Sequence, residues 1–484
     1  MNNQQLIQTL TEILPKHSIL SKDEDMQPYE CDGLSIYKQL PRLVLLPENL
    51  EQLQKIVLLA YDNKIPVVAR GAGTGLSGGA LPHKDALLVS LAKFNKILNI
   101  DLENCIATVQ PGVRNLAISE AVEQYGLYYA PDPSSQIACT IGGNVAENSG
   151  GVHCLKYGLT VHNILQTKIL TIDGKFITIG SECLETPGYD FLALMTGSEG
   201  MLGIITEVTV KLLPKPENAR VLLAGFDHIG DAGDAVANII SAGIVPAGLE
   251  MMDRLAIQAA EAFVHADYPL DVDAILICEI DGSESEVEEH IARIEELMLE
   301  NKASSIRISQ NSEERELIWK GRKAAFPAVG RIAPDYYCMD GTIPRHRLAD
   351  VLNTISELSQ KYDLPVANVF HAGDGNLHPL ILYDANLNDE LDKAEAFGAE
   401  ILALCVRVGG TITGEHGVGM EKIDEMCVQF GRAELKQFHA IKHAFDEFGL
   451  LNPGKAVPEL HRCAELGAMH VHNGELPFPE LERF

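Results

Sequence analysis

The segment Arg70-Gly-Ala-Gly-Thr-Gly-Leu-Ser-Gly-Gly-Ala80 decides between two ways of binding a nucleotide. It contains the G-x-G-x-x-G pattern that is typical of a Rossmann fold, at Gly73, Gly75 and Gly78. In a Rossmann fold these glycines open a helix that holds the pyrophosphate at its N-terminus, but here the strand-like run Ala86–Leu91 follows with no helical stretch. The sequence therefore predicts a different fold, in which backbone N–H groups converge on a diphosphate. A merely flexible surface loop is disfavoured because apolar strands flank the segment closely.

Two further segments are rich in Gly, Ser and Asn, and each lies beside a β-type run. The first combines Pro131–Gln136 with Ile141–Gly151, and the second is Thr196–Ile205. Three such segments predict one extended ligand held largely by backbone groups, and a flavin dinucleotide, anionic in the middle and planar at one end, fits that description. The candidate cofactor-binding residues in these segments are Arg70, Gly71, Gly73, Thr74, Gly75, Leu76, Gly78, Gly79, Pro131, Asp132, Ser134, Gly142, Gly143, Asn144, Asn148, Gly150, Gly151, Glu199, Gly203, Ile204 and Ile205.

Two loops in the second half of the chain concentrate side chains that bind metals. The first, His371-Ala-Gly-Asp-Gly-Asn-Leu-His-Pro379, lies between the apolar runs Leu364–Phe370 and Leu377–Tyr383. Asp-Gly and Gly-Asn are strong turn formers, so we predict a hairpin that brings both imidazoles to one point. The second loop, Gly409–Gly419, adds a carboxylate and another histidine between glycines.

Two imidazoles and one carboxylate, with a position left open, form the ligand set of a catalytic divalent metal, most often zinc. A further imidazole beside them is what a general base requires. The alternative is that each histidine is a satisfied core residue and that Glu415 is solvated. Spacing alone leaves both interpretations open, although four such groups in two glycine-punctuated loops favour the functional one.

The composition is that of an ordinary globular protein that does not bind nucleic acid. The net charge of −30 excludes nucleic acid and an anionic membrane surface as direct partners. No apolar run approaches the ~20 residues that a membrane-spanning helix needs, and Met1–Leu20 is typical of an amphipathic helix without a signal-peptide core. The ten cysteines are scattered without a Cys-x-x-Cys pair. They predict reduced thiols in a cytoplasmic chain and exclude a compact four-cysteine cluster.

The order of predicted elements divides the chain into four parts. Residues 1–40 form a helix and lead-in, 41–217 a cofactor-binding domain, 218–450 a substrate and metal cap domain, and 451–484 a C-terminal return with an extended tail. The prolines of Lys211–Pro216 mark the main boundary. Strands and helices alternate after it, which predicts an α+β domain with helices packed on one sheet. The predicted strands are Arg220–Phe226, Ala274–Ile280 and Ile306–Ser309, and the predicted helices are Asp231–Ala242, Arg254–Ala266 and Ser285–Asn301.

Several of these segments resemble FAD-linked 2-hydroxy-acid dehydrogenases, which are flavoproteins of the vanillyl-alcohol-oxidase type. They are Arg70–Ala80, Ile141–Gly151, His371–Pro379 and Gly414–Gly419. Three more segments resemble the FAD-binding catalytic subunits of multi-subunit members of that family, namely Tyr29–Leu34, Tyr336–Arg345 and Arg462–His470. The resemblance implies an α+β fold, with a two-lobed FAD-binding domain and an α+β cap domain on an antiparallel sheet. The C-terminal end of the cap would return to the flavin through Asn452-Pro-Gly454.

The resemblance also implies roles for individual residues. A divalent metal, zinc or alternatively manganese or iron, would be held by His371, His378 and Glu415. The remaining site residues are His416 as the base, Arg322 for the substrate carboxylate, Asn376 as a substrate contact, and Tyr157 and Asn452 beside the cofactor.

The implied reaction is oxidation of a small 2-hydroxy monocarboxylate, glycolate to glyoxylate and also D-lactate to pyruvate, by hydride transfer to FAD. Relatives that act on a dicarboxylate carry a lysine near the position of Cys338, which is neutral, so a monocarboxylate is expected. The implied partners are a second FAD-type subunit and an iron–sulfur subunit that passes electrons towards quinone. Contact with the inner membrane would then occur only through these partners.

Three alternatives differ from this prediction in class. The chain could be a cytochrome- or quinone-linked D-lactate dehydrogenase that acts alone. It could instead be an FAD-binding subunit that is inactive without partners, which the long tail motivates. A zinc hydrolase that uses His371, His378 and Glu415 is disfavoured because it leaves the three glycine-rich segments unexplained.

Overall fold

The structure, a computed structural model, describes residues 1–183 and 188–458 of the chain. The predicted tail beyond Pro458, with the resembling segment Arg462–His470, lies outside the described residues. Within the described residues the strands form sheets of four, five, two and seven strands. The strands are β1 (Ile19–Leu20), β2 (Leu43–Leu45), β3 (Val67–Arg70), β4 (Leu87–Ser90), β5 (Ile97–Asp101), β6 (Ile106–Val109), β7 (Leu127–Tyr128), β8 (Ile164–Leu170), β9 (Phe176–Gly180), β10 (Ile204–Lys211), β11 (Leu213–Pro214), β12 (Asn218–Phe226), β13 (Gly248–Asp253), β14 (Ala274–Gly282), β15 (Ala303–Ile308), β16 (Asp335–Cys338), β17 (Val366–Phe370) and β18 (Pro379–Tyr383).

The helices connect these strands and cover the sheets. They are α1 (Asn3–Leu10), α2 (Asp23–Met26), α3 (Leu50–Asp62), α4 (Asn115–Val122), α5 (Ile141–Glu147), α6 (Cys154–Tyr157), α7 (Thr160–Asn163), α8 (Phe191–Met195), α9 (Ile229–Ser241), α10 (Arg254–Val264), α11 (Glu284–Glu300), α12 (Ser312–Val329), α13 (Leu348–Tyr362), α14 (Glu390–Arg407), α15 (Met426–Gln429) and α16 (Arg432–Phe445). None of the described helices is long and apolar enough to cross a lipid bilayer.

The first half of the chain forms two lobes, each built on one sheet. The first sheet has the order β1-β2-β4-β3, with parallel pairing of β4 to both β2 and β3. Helix α3 covers it and is capped by Asn49, whose side chain accepts from the backbone of Gln52. The second sheet, β5-β6-β10-β8-β9, is antiparallel. The segment between β3 and β4 contains no helix. This agrees with the prediction that its glycines do not belong to a Rossmann fold.

The second half of the chain, called the cap below, is built on the antiparallel sheet β15-β12-β14-β13-β17-β18-β16. Successive side chains of a strand point to opposite sides of a sheet. The central strands of this sheet are buried on both sides, by a separate apolar cluster on each. Along β12, Leu222 and Phe226 face the cluster that α9, α11, α13 and α14 cover, whereas Val221 and Leu223 face the cluster formed with α10 and α12. The α+β class and the antiparallel cap sheet are therefore as predicted.

Several element predictions were wrong, and each error has a physical reason. The N-terminal helix is α1 alone, because the chain turns after Leu10 and enters a 3-10 turn and β1. The glycine-rich segment at Ile141, for which no helix was predicted, folds as α5, since the buried Ile141 and Val145 lie on one helical face despite two glycines. Strand β13 and helix α12 were not predicted at all. Among the described residues, eight cysteines carry free thiols as expected, whereas Cys427 is disulfide-bonded.

Candidate active site

The hairpin between β17 and β18 brings two histidines together. His371 donates its backbone N–H to the carbonyl of Asn376 at 3.1 Å, and Gly375 has a φ of +84°, which a side chain would strain. The two strands pair in antiparallel register. As a result, the rings of His371 and His378 lie 5.1 Å apart, edge to face, as the turn chemistry predicted.

The loop Thr413–Gly419 presents the carboxylate and the third histidine, and two acidic side chains hold its backbone. Asp340 is fully buried and accepts the backbone N–H groups of Gly414, Glu415 and His416 at 3.0, 3.2 and 2.9 Å. Glu199 accepts those of Val418 and Gly419 at 2.7 Å each. Successive N–H groups converge on each carboxylate, which fixes the direction of the loop.

The atoms of His371, His378 and Glu415 converge in a way that fits a cation. Glu415 Oε1 lies 3.3 Å from Nε2 of each histidine, and His378 Nε2 has no hydrogen-bond partner among the described residues although it is buried. One ligand atom from each residue lies within 4.8 Å of the others. One carboxylate oxygen and two imidazole nitrogens that converge on one point form a donor set that fits a divalent metal.

A second set, Asp340, His378 and His416, also lies within ligand distance. Asp340 is already engaged by the loop, because it accepts three loop N–H groups and the Thr413 hydroxyl, and its Oδ2 lies 3.3 Å from the ammonium of Lys422. Its pKa is held well below the usual value by His416 and Lys422, which outweigh burial. We therefore favour His371, His378 and Glu415 as the ligand set.

The surroundings lower the pKa of both Glu415 and His416, so that near pH 7 Glu415 is negatively charged and His416 is neutral. Burial would raise the pKa of Glu415, but the hydrogen bond and charge of His371 lower it to about 2. Loss of hydration, with His378 and Lys422 nearby, lowers the pKa of His416 to about 4. The ring of His416 stacks on His378 at 4.9 Å, and its Nδ1 has no hydrogen-bond partner among the described residues. His416 is therefore neutral near pH 7 and able to accept a proton.

One side chain that the sequence did not reveal joins the two halves of the site. Glu250, on β13, accepts from His371 Nδ1 at 2.7 Å with one oxygen. Its other oxygen accepts from Arg322 Nε at 2.9 Å and lies 2.6 Å from Nη2. Arg322, on α12, is buried beside it. Asp340 was missed as well, because single acidic residues at or just after the end of a strand have no sequence signature.

A groove of about 400 Å³ brings the predicted cofactor residues and the histidine cluster to one place. It runs between the glycine-rich segments and the cap. The predicted residues that line it are Arg70, Gly71, Gly73, Thr74, Gly75, Leu76, Gly79, Ser134, Gly142, Gly143, Asn144, Glu199, Gly203, Ile204, Ile205, Arg322, His378, Glu415, His416 and Asn452. Asn452 donates to the backbone carbonyls of Gly79 and Glu199 at 2.9 and 2.7 Å, so the chain returns to the groove after the cap.

The remaining predicted site residues lie behind the groove lining. Gly150 abuts the Glu415 carboxylate, and the Asn376 amide abuts Gly414. Gly78 packs on Met420 and Gly151 on the backbone of Asp132, whereas Asn148 ends α5 in the left-handed conformation. The Pro131 carbonyl accepts from Asn115.

Asp132 and Tyr157 line a separate cavity, where they contact His153 and Asp281. Cys338 is buried in an apolar cluster of the cap and does not line the groove.

Comparison with known proteins agrees with this arrangement. Residues 41–180 match the family described as FAD binding domain, and residues 215–456 match FAD linked oxidases, C-terminal domain. The chain belongs to the FAD-linked oxidases. It is 62% identical to the glycolate oxidase subunit GlcD of Escherichia coli strain K12, over 99% of this chain and 96% of that protein. It is 33% identical to the D-lactate dehydrogenase of Anaerostipes hadrus, over 93% and 97% of the two chains.

A solved structure of p-cresol methylhydroxylase with bound substrate superposes with a TM-score of 0.80 at 17% identity, covering 95% of this chain and 97% of that one. That likeness concerns the fold, which is the vanillyl-alcohol-oxidase type as predicted. The chain is an FAD-dependent oxidoreductase, and the prediction of FAD as its cofactor is confirmed. The groove lined by the glycine-rich segments fits that cofactor, because many of its walls are backbone with no side chain in the way.

Proposed function

We propose that this FAD-linked oxidase converts glycolate to glyoxylate, with D-lactate as a second substrate that yields pyruvate. The observation that carries the proposal is a juxtaposition in one groove. The cavity that the glycine-rich segments line is also lined by Arg322, which is buried, and by His416, whose imidazole is neutral. It is lined as well by His378 and Glu415 of the candidate metal site. A 2-hydroxy acid needs one group for its carboxylate, one for its hydroxyl proton and an acceptor for its C2 hydrogen.

Arg322 supplies the contact for the substrate carboxylate. Arg322 lines the groove, and Glu250 contacts its guanidinium at 2.6–2.9 Å. Glu250 engages the Nε and Nη2 edge, so it does not use Nη1. A planar guanidinium matches a carboxylate better than a point charge does. The guanidinium of Arg322 would therefore attract an anionic substrate locally in a chain whose net charge is −30.

His416 accepts the proton of the substrate hydroxyl. Its Nδ1 has no partner among the described residues, and its low pKa of about 4 leaves the imidazole unprotonated near neutral pH. General-base catalysis of this kind contributes about 10²–10⁴-fold to a rate. The backbone hydrogen bonds to Asp340 hold His416 in place while the proton is transferred.

Two bound groups would complete the chemistry. A divalent metal, with zinc expected and manganese or iron as alternatives, would be held by His371, His378 and Glu415 and would lower the pKa of the substrate hydroxyl. FAD supplies a hydride acceptor in the groove. Phe326 also lines the groove, with its ring 6.2 Å from that of His378, so an apolar side chain stands beside the proposed metal ligands. This apolar neighbour supports a monocarboxylate substrate.

We propose further that the chain works as the catalytic subunit of a complex. The name of the Escherichia coli relative describes it as a subunit, and the chain belongs to a family whose reduced flavin must pass its electrons on. A second FAD-type subunit and an iron–sulfur subunit are the proposed partners. The protein would be cytoplasmic and would meet the inner membrane only through them.

The test is anaerobic reduction of the purified, FAD-containing protein. Addition of glycolate should bleach the flavin absorption band, and D-lactate should do so as well. 2-Hydroxyglutarate, which carries a second carboxylate, should react far more slowly. Treatment with a chelator should abolish bleaching, and added Zn²⁺ or Mn²⁺ should restore it. A flavin that stays oxidised with every 2-hydroxy acid, and bleaches only after partner subunits are added, would instead support a subunit that is inactive alone.

A further inference from the structure

Strand β13 places one carboxylate between the two binding functions of the site. Glu250 is completely buried, and both of its polar contacts are with the site residues His371 and Arg322. Each of its oxygens serves a different partner: Oε1 accepts from His371, and Oε2 accepts from Arg322. Neither oxygen contacts the groove, since Glu250 is not among the residues that line it.

The contact with His371 determines which ring nitrogen faces the cation site. An ionised carboxylate can only accept hydrogen bonds, so the 2.7 Å contact keeps a proton on Nδ1 of His371. The opposite nitrogen, Nε2, is then the one directed at Glu415, 3.3 Å away. A carboxylate behind a ligating imidazole orients the ring and raises its basicity, and loss of such a partner typically costs about 10–100-fold in metal affinity.

The contact with Arg322 determines how the guanidinium enters the groove. Both Nε and Nη2 approach the same oxygen of Glu250, at 2.9 and 2.6 Å. The side chain of Arg322 is 3% exposed, so it has no hydrated alternative orientation. Movement of Glu250 towards either partner would therefore displace the other.

We propose that Glu250 is a positioning residue that couples cation binding by His371 to carboxylate binding by Arg322. The inference rests on the proposed function, because that function assigns the two roles. Coupling of this kind is reciprocal, so a change at one of the two sites must alter affinity at the other.

The experiment uses the FAD-containing protein after metal removal with a chelator. Zn²⁺ affinity is measured by competition with a chromophoric chelator. Carboxylate affinity is measured by titrating the Zn²⁺-loaded protein with propionate, which lacks a hydroxyl and cannot be oxidised, and following the flavin spectrum. In Glu250→Gln we expect Zn²⁺ affinity to fall about 10–100-fold, with a severalfold loss of propionate affinity and unchanged FAD content.

The matched control is Glu279→Gln, on the neighbouring strand β14. Glu279 is also a buried cap carboxylate, but it accepts from the indole of Trp319 and lies 3.3 Å from His153. This variant should bind Zn²⁺ and propionate as the unaltered protein does. Equal losses in both variants would overturn the proposal, as would a Glu250→Gln protein in which only one of the two affinities falls.

A second variant keeps the proposal testable if Glu250→Gln does not accumulate as folded protein. Arg322→Lys retains the positive charge but cannot hold Glu250 through two nitrogens. Although Arg322 is not among the candidate metal ligands, we expect Zn²⁺ affinity to fall severalfold in this variant. Unchanged Zn²⁺ affinity would overturn the coupling. Turnover of glycolate by the unaltered protein tests the proposed function separately, so the two failures are distinguishable.

Discussion

At the scale of single residues, the site depends on side chains whose charge is set by their neighbours. His416 is poorly hydrated and lies against His378 and Lys422, which together hold its pKa near 4. Glu415, one residue earlier, keeps its negative charge because His371 stabilises it. A neutral acceptor of protons and a fixed anion therefore stand side by side in one loop, as acid–base chemistry at neutral pH requires.

This arrangement predicts that His416→Asn separates catalysis from binding. We expect kcat to fall about 10²–10⁴-fold, because asparagine cannot accept the hydroxyl proton. FAD content, from absorbance, and metal content, from elemental analysis, should stay unchanged. His346→Asn, on the exposed 3-10 turn Arg345–Arg347, is the control and should keep full turnover. If His416→Asn were as active as the control, the base would have to be another group.

The sequence could predict the histidines but not the acids that hold them. His371 and His378 stand in a turn with its own residue signature, so their convergence followed from Asp374-Gly375. Glu250 is 121 residues from His371 and 72 from Arg322 along the chain. Its role exists only after β13 and β17 pair, and no local pattern encodes that pairing. Asp340 was missed for a similar reason, because the backbone of Gly414 to which it is hydrogen-bonded lies 74 residues away along the chain.

At the scale of elements, the loop Thr413–Gly419 is held from both sides. Asp340 of the cap accepts three of its N–H groups, and Glu199, from the FAD-binding half, accepts two. The Ser77 hydroxyl adds a hydrogen bond to the carbonyl of His416 at 3.0 Å. The loop is thus the place where the glycine-rich segments and the cap meet, and its conformation positions Glu415 and His416 in the groove.

Gly417 provides the test of that role. It has a φ of +81°, and an added Cβ would overlap the Glu147 carboxylate. Gly126 has a similar φ of +69° but open space around it. Positive φ alone costs roughly 1–2 kcal/mol for a residue with a side chain, so Gly126→Ala should lower the thermal unfolding midpoint slightly and leave kcat unchanged. Gly417→Ala should lower the midpoint further and also reduce kcat. Equal effects of the two substitutions would show that the loop is not so constrained.

Two of the elements that the sequence failed to predict, β13 and α12, serve the site. Strand β13 carries Glu250 between the buried apolar residues Leu249 and Met251, and this charge interrupts the apolar run that would have indicated a buried strand. Helix α12 carries Arg322, and its internal Pro327 weakens its helical pattern. Ordinary structural elements, such as α10 and α11, were predicted to within two residues because their caps and apolar faces agree. Local rules fail where function requires a charge inside the protein.

At the scale of the whole molecule, a charged network joins the FAD-binding half to the cap away from the groove. His153 lies between two carboxylates, with Nδ1 2.9 Å from Asp132 and Nε2 3.3 Å from Glu279. Asp132 belongs to the FAD-binding half and Glu279 to β14 of the cap. Although loss of hydration opposes protonation, the two carboxylates raise the pKa of His153 to about 10. The imidazolium therefore links the two halves across the neutral range.

This link predicts a stability difference that depends on pH. The folded-state pKa of His153 lies above the unfolded value of about 6.5, so its stabilisation is complete below pH 6.5. It declines as pH rises and is lost above about pH 10. At pH 6, His153→Gln should lower the free energy of unfolding by roughly 1.5–3 kcal/mol, the range for a hydrogen bond to a charged group. Chemical denaturation at pH 6 and pH 10 measures both values, with the exposed His228→Gln as the control. The contradictory outcome is a difference in the free energy of unfolding, between His153→Gln and the unaltered protein, that is the same at both pH values. In that case contacts other than this imidazolium would hold the two halves together.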